Sequence, residues 1–207
     1  MSKKDKKRST KKRKRIATIQ AISIPNQLRK ASNYPIKECF ITEGWQDKGM
    51  CNIFVLREQP DYHIIMGVYL VDLLCLGLKD TFYNIDISYE EVIDRLHNHP
   101  SEKFILIDAD LAHSIIYGSI EYAKDLGFVP HGDFRYSRFI LDPREEIEFN
   151  DSIEFGKNGK PHFFAGPYDS KSKINRIITQ LEERLGEGNF HYTYPVALDD
   201  LEKEPLE

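Results

Sequence analysis

Apolar and polar positions alternate on several periods along the chain, and these periods predict its elements. Ile36–Thr42 reads as a strand, and Gly44-Trp45-Gln46-Asp47-Lys48-Gly49 as a turn region. Cys51–Arg57 and His63–Asp72 read as the two strands of a hairpin. Their connection, Glu58-Gln59-Pro60-Asp61-Tyr62, carries Pro-Asp turn chemistry. The second of these strands is apolar almost throughout, which places it centrally or under cover on both faces. Leu78–Asn84 reads as a fourth strand or a loop.

Ser88-Tyr89-Glu90-Glu91 has the form of a capping box, so a helix is expected from there to about Asn98, stopped by Pro100. A longer helix is expected over Ala109–Leu126 with Asp108 or Asp110 as cap. Leu111, Ile115, Tyr122 and Leu126 supply its apolar side, and Gly127-Phe128 closes it. Asp133–Leu141 predicts a short helix. Ile153–Phe155 and His162–Ala165 predict a hairpin around Gly156-Lys157-Asn158-Gly159-Lys160, where Asn-Gly supplies positive φ. Ile174, Ile177, Ile178, Leu181 and Leu185 form one stripe of a helix over Ser170–Leu185 that Gly186 stops, and Asn189–Tyr194 reads as a last strand. Strands come first, then helices, then a hairpin and a helix. That order predicts an α+β fold, with a mixed or antiparallel sheet carrying about three to four helices.

Charge changes this picture by dividing the chain. Residues 1–15 hold ten cations, Lys3, Lys4, Lys6, Lys7, Arg8, Lys11, Lys12, Arg13, Lys14 and Arg15, against Asp5 alone. With +9 in this segment and −4 over the whole chain, residues 16–207 carry −13. So dense a block of like charge, with few apolar side chains, reads as a disordered tail. The expected organisation is therefore a basic tail over 1–15, a connecting arm over 16–33, one α+β domain over 34–196 and an acidic C-terminal tail over 197–207. Apolar residues make up 41% of the 207, enough for a core. No apolar run reaches the ~20 residues of a membrane span, and no signal-peptide pattern follows the basic start. Cytoplasmic localisation and no membrane partner are expected. Cys39, Cys51 and Cys75 are far apart and odd in number, which argues for reduced, buried thiols.

Candidate chemistry is sparse. Asp72 ends an apolar strand; with Asp80, Glu38 or Asp86 it could complete a magnesium or manganese site of a nuclease, or it could be a satisfied strand-end acid. The Gly77-Leu78-Lys79 unit lacks the glycine ladder of a phosphate loop. His97 and His99 sit at a helix end, where they would complement its dipole. His113, Tyr117 and Glu121 are four apart and form one polar stripe, either a catalytic face or a solvated one. A Cys75–His113 nucleophile pair has no local mark, because Leu74 and Leu76 flank the thiol. Phe134, Tyr136 and Phe139 interleave with Arg135 and Arg138, and Phe163, Phe164 and Tyr168 lie near Lys157 and Lys160. Both groups combine stacking and phosphate-binding chemistry, although core packing explains most such aromatics.

The segments Gly67–Asp80, Tyr122–Phe128 and Glu154–Pro161 resemble a group of bacterial proteins with no assigned activity. The likeness covers about Ile36 to Tyr194, leaves the basic tail outside, and implies no functional residues. The leading expectation is a nonenzymatic protein associated with RNA, DNA or the ribosome through the ten tail cations. The alternatives are a metal-dependent nuclease or phosphodiester hydrolase, with Asp72, Asp80, His113 and Glu121 as candidates, and an interaction module whose acidic body engages a protein partner.

Overall fold

The structure is a computed structural model that describes residues 26–150 and 152–194. The basic tail over 1–15, much of the connecting arm and the acidic segment over 197–207 lie outside the described residues.

Four strands form an antiparallel meander: β1 (Ile36–Thr42), β2 (Met50–Glu58), β3 (Ile64–Asp72) and β4 (Gly77–Ile87). A fifth, β5 (Phe104–Ile107), adds antiparallel to β1, so the order is β4-β3-β2-β1-β5. The fold is α+β and its main sheet is antiparallel. The expected β2–β3 hairpin is present, with Tyr62 at φ 67° in its connection. The Gly44–Gly49 turn is one helical turn, α1 (Trp45–Lys48), between two left-handed glycines. Leu78–Asn84 resolves as a strand within the eleven residues of β4.

Side-chain alternation explains how the sheet is covered. Cys39, Ile41, Cys51, Ile53, Val55, Ile65, Tyr69 and Val71 face α3 (Ala109–Asp125), which contributes Ala112, Ile115 and Ile116 to the main core. Leu28 and Ala31 are also fully buried there, so the packed body takes in part of the arm before Tyr34. On the opposite face Leu56, Ile64 and Met66 pack with Ile87 and with Val92 and Leu96 of α2 (Tyr89–His97). Only the N-cap half of the expected capping box is present: Ser88 Oγ accepts the Glu91 N–H at 3.2 Å, while the Glu91 carboxylate takes Arg95 instead of the Ser88 N–H. At the end of α3, Gly127 at φ +85° and the Phe128 N–H bonded to the Ala123 carbonyl make the expected glycine stop.

A third apolar cluster lies beyond the main sheet, around α5 (Lys171–Leu185). Ile177 and Leu181 meet Cys75, Leu126, Phe163 and Phe190 there. A one-turn helix, α4 (Phe134–Ser137), and a 3-10 turn over Arg138–Ile140 precede it in the chain. Five α-helical segments lie wholly within the described residues, more than the three to four expected, because one-turn pieces add to the long helices.

The expected hairpin around Asn158-Gly159 is corrected. The turn itself forms, with Asn158 at φ 53° and Gly159 at φ +75°, but Ile153–Phe155 is not a strand. The Gly156 N–H bonds to the Leu73 carbonyl and the His162 N–H to the Leu74 carbonyl. Both backbones therefore dock on the β3–β4 turn. β6 (His162–Phe164) pairs in parallel with β7 (His191–Thr193), near the end of the described chain.

Candidate functional site

The acids singled out from the sequence do not converge. Asp72 is 3% exposed and closes the β3–β4 turn, its Oδ1 accepting the N–H groups of Leu74 at 2.9 Å and Cys75 at 3.1 Å. Burial raises its carboxyl pKa against the opposing pull of Lys79 and the backbone N–H groups around it. Asp80 accepts the Thr81 N–H and sits 3.6 Å from His131. Glu38 accepts the Tyr89 hydroxyl at 2.6 Å, Asp86 pairs with His63, and Glu121 pairs with Arg144. Among the described residues, no group of three or more His, Cys, Asp or Glu is placed to hold a metal ion.

The His113–Tyr117–Glu121 stripe runs from the fully buried His113, past Tyr117 at the edge of a small cleft, to Glu121, which is 54% exposed. It grips the strap over 142–144. The Asp142 N–H donates to His113 Nε2 at 2.9 Å, so the ring proton sits on Nδ1 and goes to the Ala109 carbonyl. Tyr117 donates to the Asp142 carbonyl at 2.8 Å, and Arg144 completes the seam on Glu121. Arg57, 2% exposed, locks the same strap by donating to the Ile140 carbonyl, the Tyr34 carbonyl and the Asp142 carboxylate. Burial lowers the His113 pKa and holds the ring neutral. Both ring nitrogens are occupied, which leaves no lone pair for proton transfer to a ligand. Cys75 lies in the third cluster and His113 in the main sheet's polar seam; burial raises the Cys75 thiol pKa, and that of Cys39 and Cys51 to about 12.

The aromatic groups also separate. Phe134, Tyr136 and Phe139 pack on the main core, with Arg135 over Tyr136 and Arg138 over Phe139. Phe163 is fully buried, whereas Phe164 is 36% and Tyr168 99% exposed.

What the fold does assemble is a cleft of about 500 Å³ between the start of β4, the loop after α3 and one side of α5. Leu76 and Leu78 form its apolar base, and Gly127, Phe128, Val129 and His131 one wall. Lys173, Arg176, Ile177 and Gln180 form the other, spaced three, four and seven along α5, so they share one helix face. Gln180 ties the walls together by donating to the Leu126 carbonyl at 3.2 Å. Lys79 enters from β4. Lys173 is paired with Asp169. Burial pushes the Asp169 carboxyl upward, but the Lys173 hydrogen bond, the Gly166 N–H and the charges of Lys173 and Lys79 outweigh it and hold the pKa low. Lys79 and Arg176 form no hydrogen bond or close ion pair among the described residues, although the Lys79 charge acts on Asp72 and Asp169. Such a lining can hold an anion carried on an apolar or planar body.

Sequence reasoning missed this cleft because its cations are spread from residue 79 to residue 176. The one available signal was the common face of Lys173, Arg176 and Gln180 on an α5 otherwise read only for its apolar stripe. Fold and site together define an α+β protein with a cation-lined surface cleft on an acidic body. No family model, no curated protein and no solved structure matches the chain. No helix among the described residues is long and apolar enough to cross a membrane.

Proposed function

We propose that the protein is a nonenzymatic nucleic-acid- or ribosome-associated protein, in which the basic tail supplies sequence-independent affinity and the Lys79–Lys173–Arg176 cleft takes a backbone phosphate. One observation carries this reading: Lys79 and Arg176, which form no ion pair within 4 Å among the described residues, line one cleft with Lys173 in a stretch, residues 16–207, whose net charge is −13. Three cations against Asp169 and the buried Asp72 leave the cleft more positive than the surrounding surface, and binding an anion there relieves their mutual repulsion. The ten tail cations add affinity by speeding encounter with a polyanion, an effect that salt screens.

The test is fluorescence anisotropy of a labelled RNA or DNA oligonucleotide over a series of salt concentrations. Lys79→Gln with Arg176→Gln should weaken binding about tenfold at low salt and lower the salt slope by about one to two contacts. Replacing the ten tail cations by Gln should lower the slope further. If both variants bind like the wild type, the reading is wrong.

A further inference from the structure

The last described strand carries a feature that the cleft does not explain. Phe190, Tyr192 and Tyr194 alternate along β7 and its flanks, so they project from one side of the strand. Their rings form a ladder, with centroids 6.1 Å apart from Phe190 to Tyr192 and 5.8 Å from Tyr192 to Tyr194, the latter pair within 8° of parallel. Phe190 anchors the ladder in the third apolar cluster and is 7% exposed. Tyr192 and Tyr194 are 48% and 46% exposed and belong to none of the three clusters. Neither hydroxyl has a hydrogen-bond partner among the described residues. The strand thus stacks two flat rings against each other, fastened to the core at one end, with each tyrosine about half exposed.

We infer that the Tyr192–Tyr194 ladder is a base-stacking platform that directs the protein to single-stranded nucleic acid. This rests on the proposed nucleic-acid association and adds the substrate class. Unpaired bases have free π-faces to lay on an aromatic ring, whereas duplex bases are already stacked on each other. Stacking of this kind tolerates any base, which suits cations that read phosphates without sequence. Pre-ordering of the rings by their own contact lowers the entropy lost on binding.

The experiment uses the full chain and compares a single-stranded oligonucleotide with its duplex by anisotropy. The wild type should prefer the single strand. Tyr192→Ala with Tyr194→Ala should weaken single-strand binding roughly 10–50-fold, with duplex affinity kept within about twofold, while Tyr192→Phe with Tyr194→Phe should bind like the wild type. Unchanged single-strand binding in the double alanine variant, or equal loss on both substrates, overturns the platform. Loss in the Lys79/Arg176 variant together with no loss in the alanine variant removes the platform and leaves the cleft. The reverse pattern removes the cleft and leaves the platform. A wild type that binds neither oligonucleotide overturns both.

Discussion

Asp72 separates a structural acid from a catalytic one, because its two obvious variants predict opposite results under the two readings. Its Oδ1 accepts two backbone N–H groups inside the β3–β4 turn. Asp72→Asn keeps an acceptor oxygen at that position and removes the buried charge. Asp72→Ala leaves the Leu74 and Cys75 N–H groups without an acceptor; at ~1–3 kcal/mol per orphaned donor, and with one donor only partly buried, the loss should be about 2–4 kcal/mol. The charge itself stabilises nothing here. The folded pKa is raised, so ionisation is harder in the native protein than in the unfolded chain. The stabilising contribution of the protonated carboxyl is complete below the unfolded value of 3.8 and is lost as pH rises through the folded value. At neutral pH Asp72→Asn should therefore be at least as stable as the wild type, and the advantage should fade on acidification toward pH 3.8. The assay is urea denaturation followed by Trp45, the only tryptophan and 7% exposed. If the Asn variant is destabilised as much as the Ala variant, the carboxylate charge has a partner, and the structural account of this turn fails. A magnesium- or manganese-dependent turnover on nucleic acid that vanishes in Asp72→Asn would sink it equally.

Two further perturbations test the packing that sets up the site. Gly77 starts β4 at φ +67°, and a Cβ there would lie 2.6 Å from both the Ser119 carbonyl oxygen and the Ala123 Cβ. Left-handed strain of ~1–2 kcal/mol plus overpacking of ~1–3 kcal/mol predicts a loss of about 2–5 kcal/mol for Gly77→Ala, read as a fall in urea midpoint at unchanged slope. His113 tests the strap: its pKa is lowered by burial, so only the unfolded chain takes up the proton as pH falls below 6.5. Stability from the neutral ring is present above that value and erodes between it and the lowered folded pKa. His63 works in the opposite sense through its hydrogen bond to Asp86. The measurement is therefore the wild-type minus His113→Gln difference in unfolding free energy, which should shrink from pH 7 to pH 5.5; a difference independent of pH would show that His113 titrates alike in both states.

The parts of the fold legible in the sequence are those whose signal is local. The Ser88 N-cap, the Gly127 and Gly186 stops and the Asn158-Gly159 turn each act within a few residues, and each forms as read. β5 was invisible because its four residues, Phe104 to Ile107, acquire strand geometry only by pairing with β1. The Ile153–Phe155 hairpin failed for the same reason in reverse, since the chain around Gly156 and His162 finds its partners on Leu73 and Leu74. The polar stripe His113–Tyr117–Glu121 was visible as a stripe, but its partner strap begins at Asp142 and nothing in the spacing announces that. The same limit hid the cleft. Alternation at Phe190, Tyr192 and Tyr194 was legible as a strand, while their mutual stacking and exposure were not.

An acidic body and an anion-binding role conflict only if charge acts at long range. At physiological ionic strength the Debye length is about 8 Å, so the potential at the cleft is set by Lys79, Lys173, Arg176 and Asp169 more than by the distant charges that bring residues 16–207 to −13. The body's net repulsion then acts mainly on encounter rate, where ten tail cations oppose it, and the close contacts act on dissociation. Removing the tail charges should therefore slow association of an oligonucleotide strongly and change its dissociation little, whereas the cleft and ladder variants should speed dissociation at nearly constant association rate. Stopped-flow mixing resolves the two phases. A tail variant whose whole defect lies in dissociation would mean that the tail makes persistent phosphate contacts of its own, and the division of labour argued for cleft, ladder and tail would not hold.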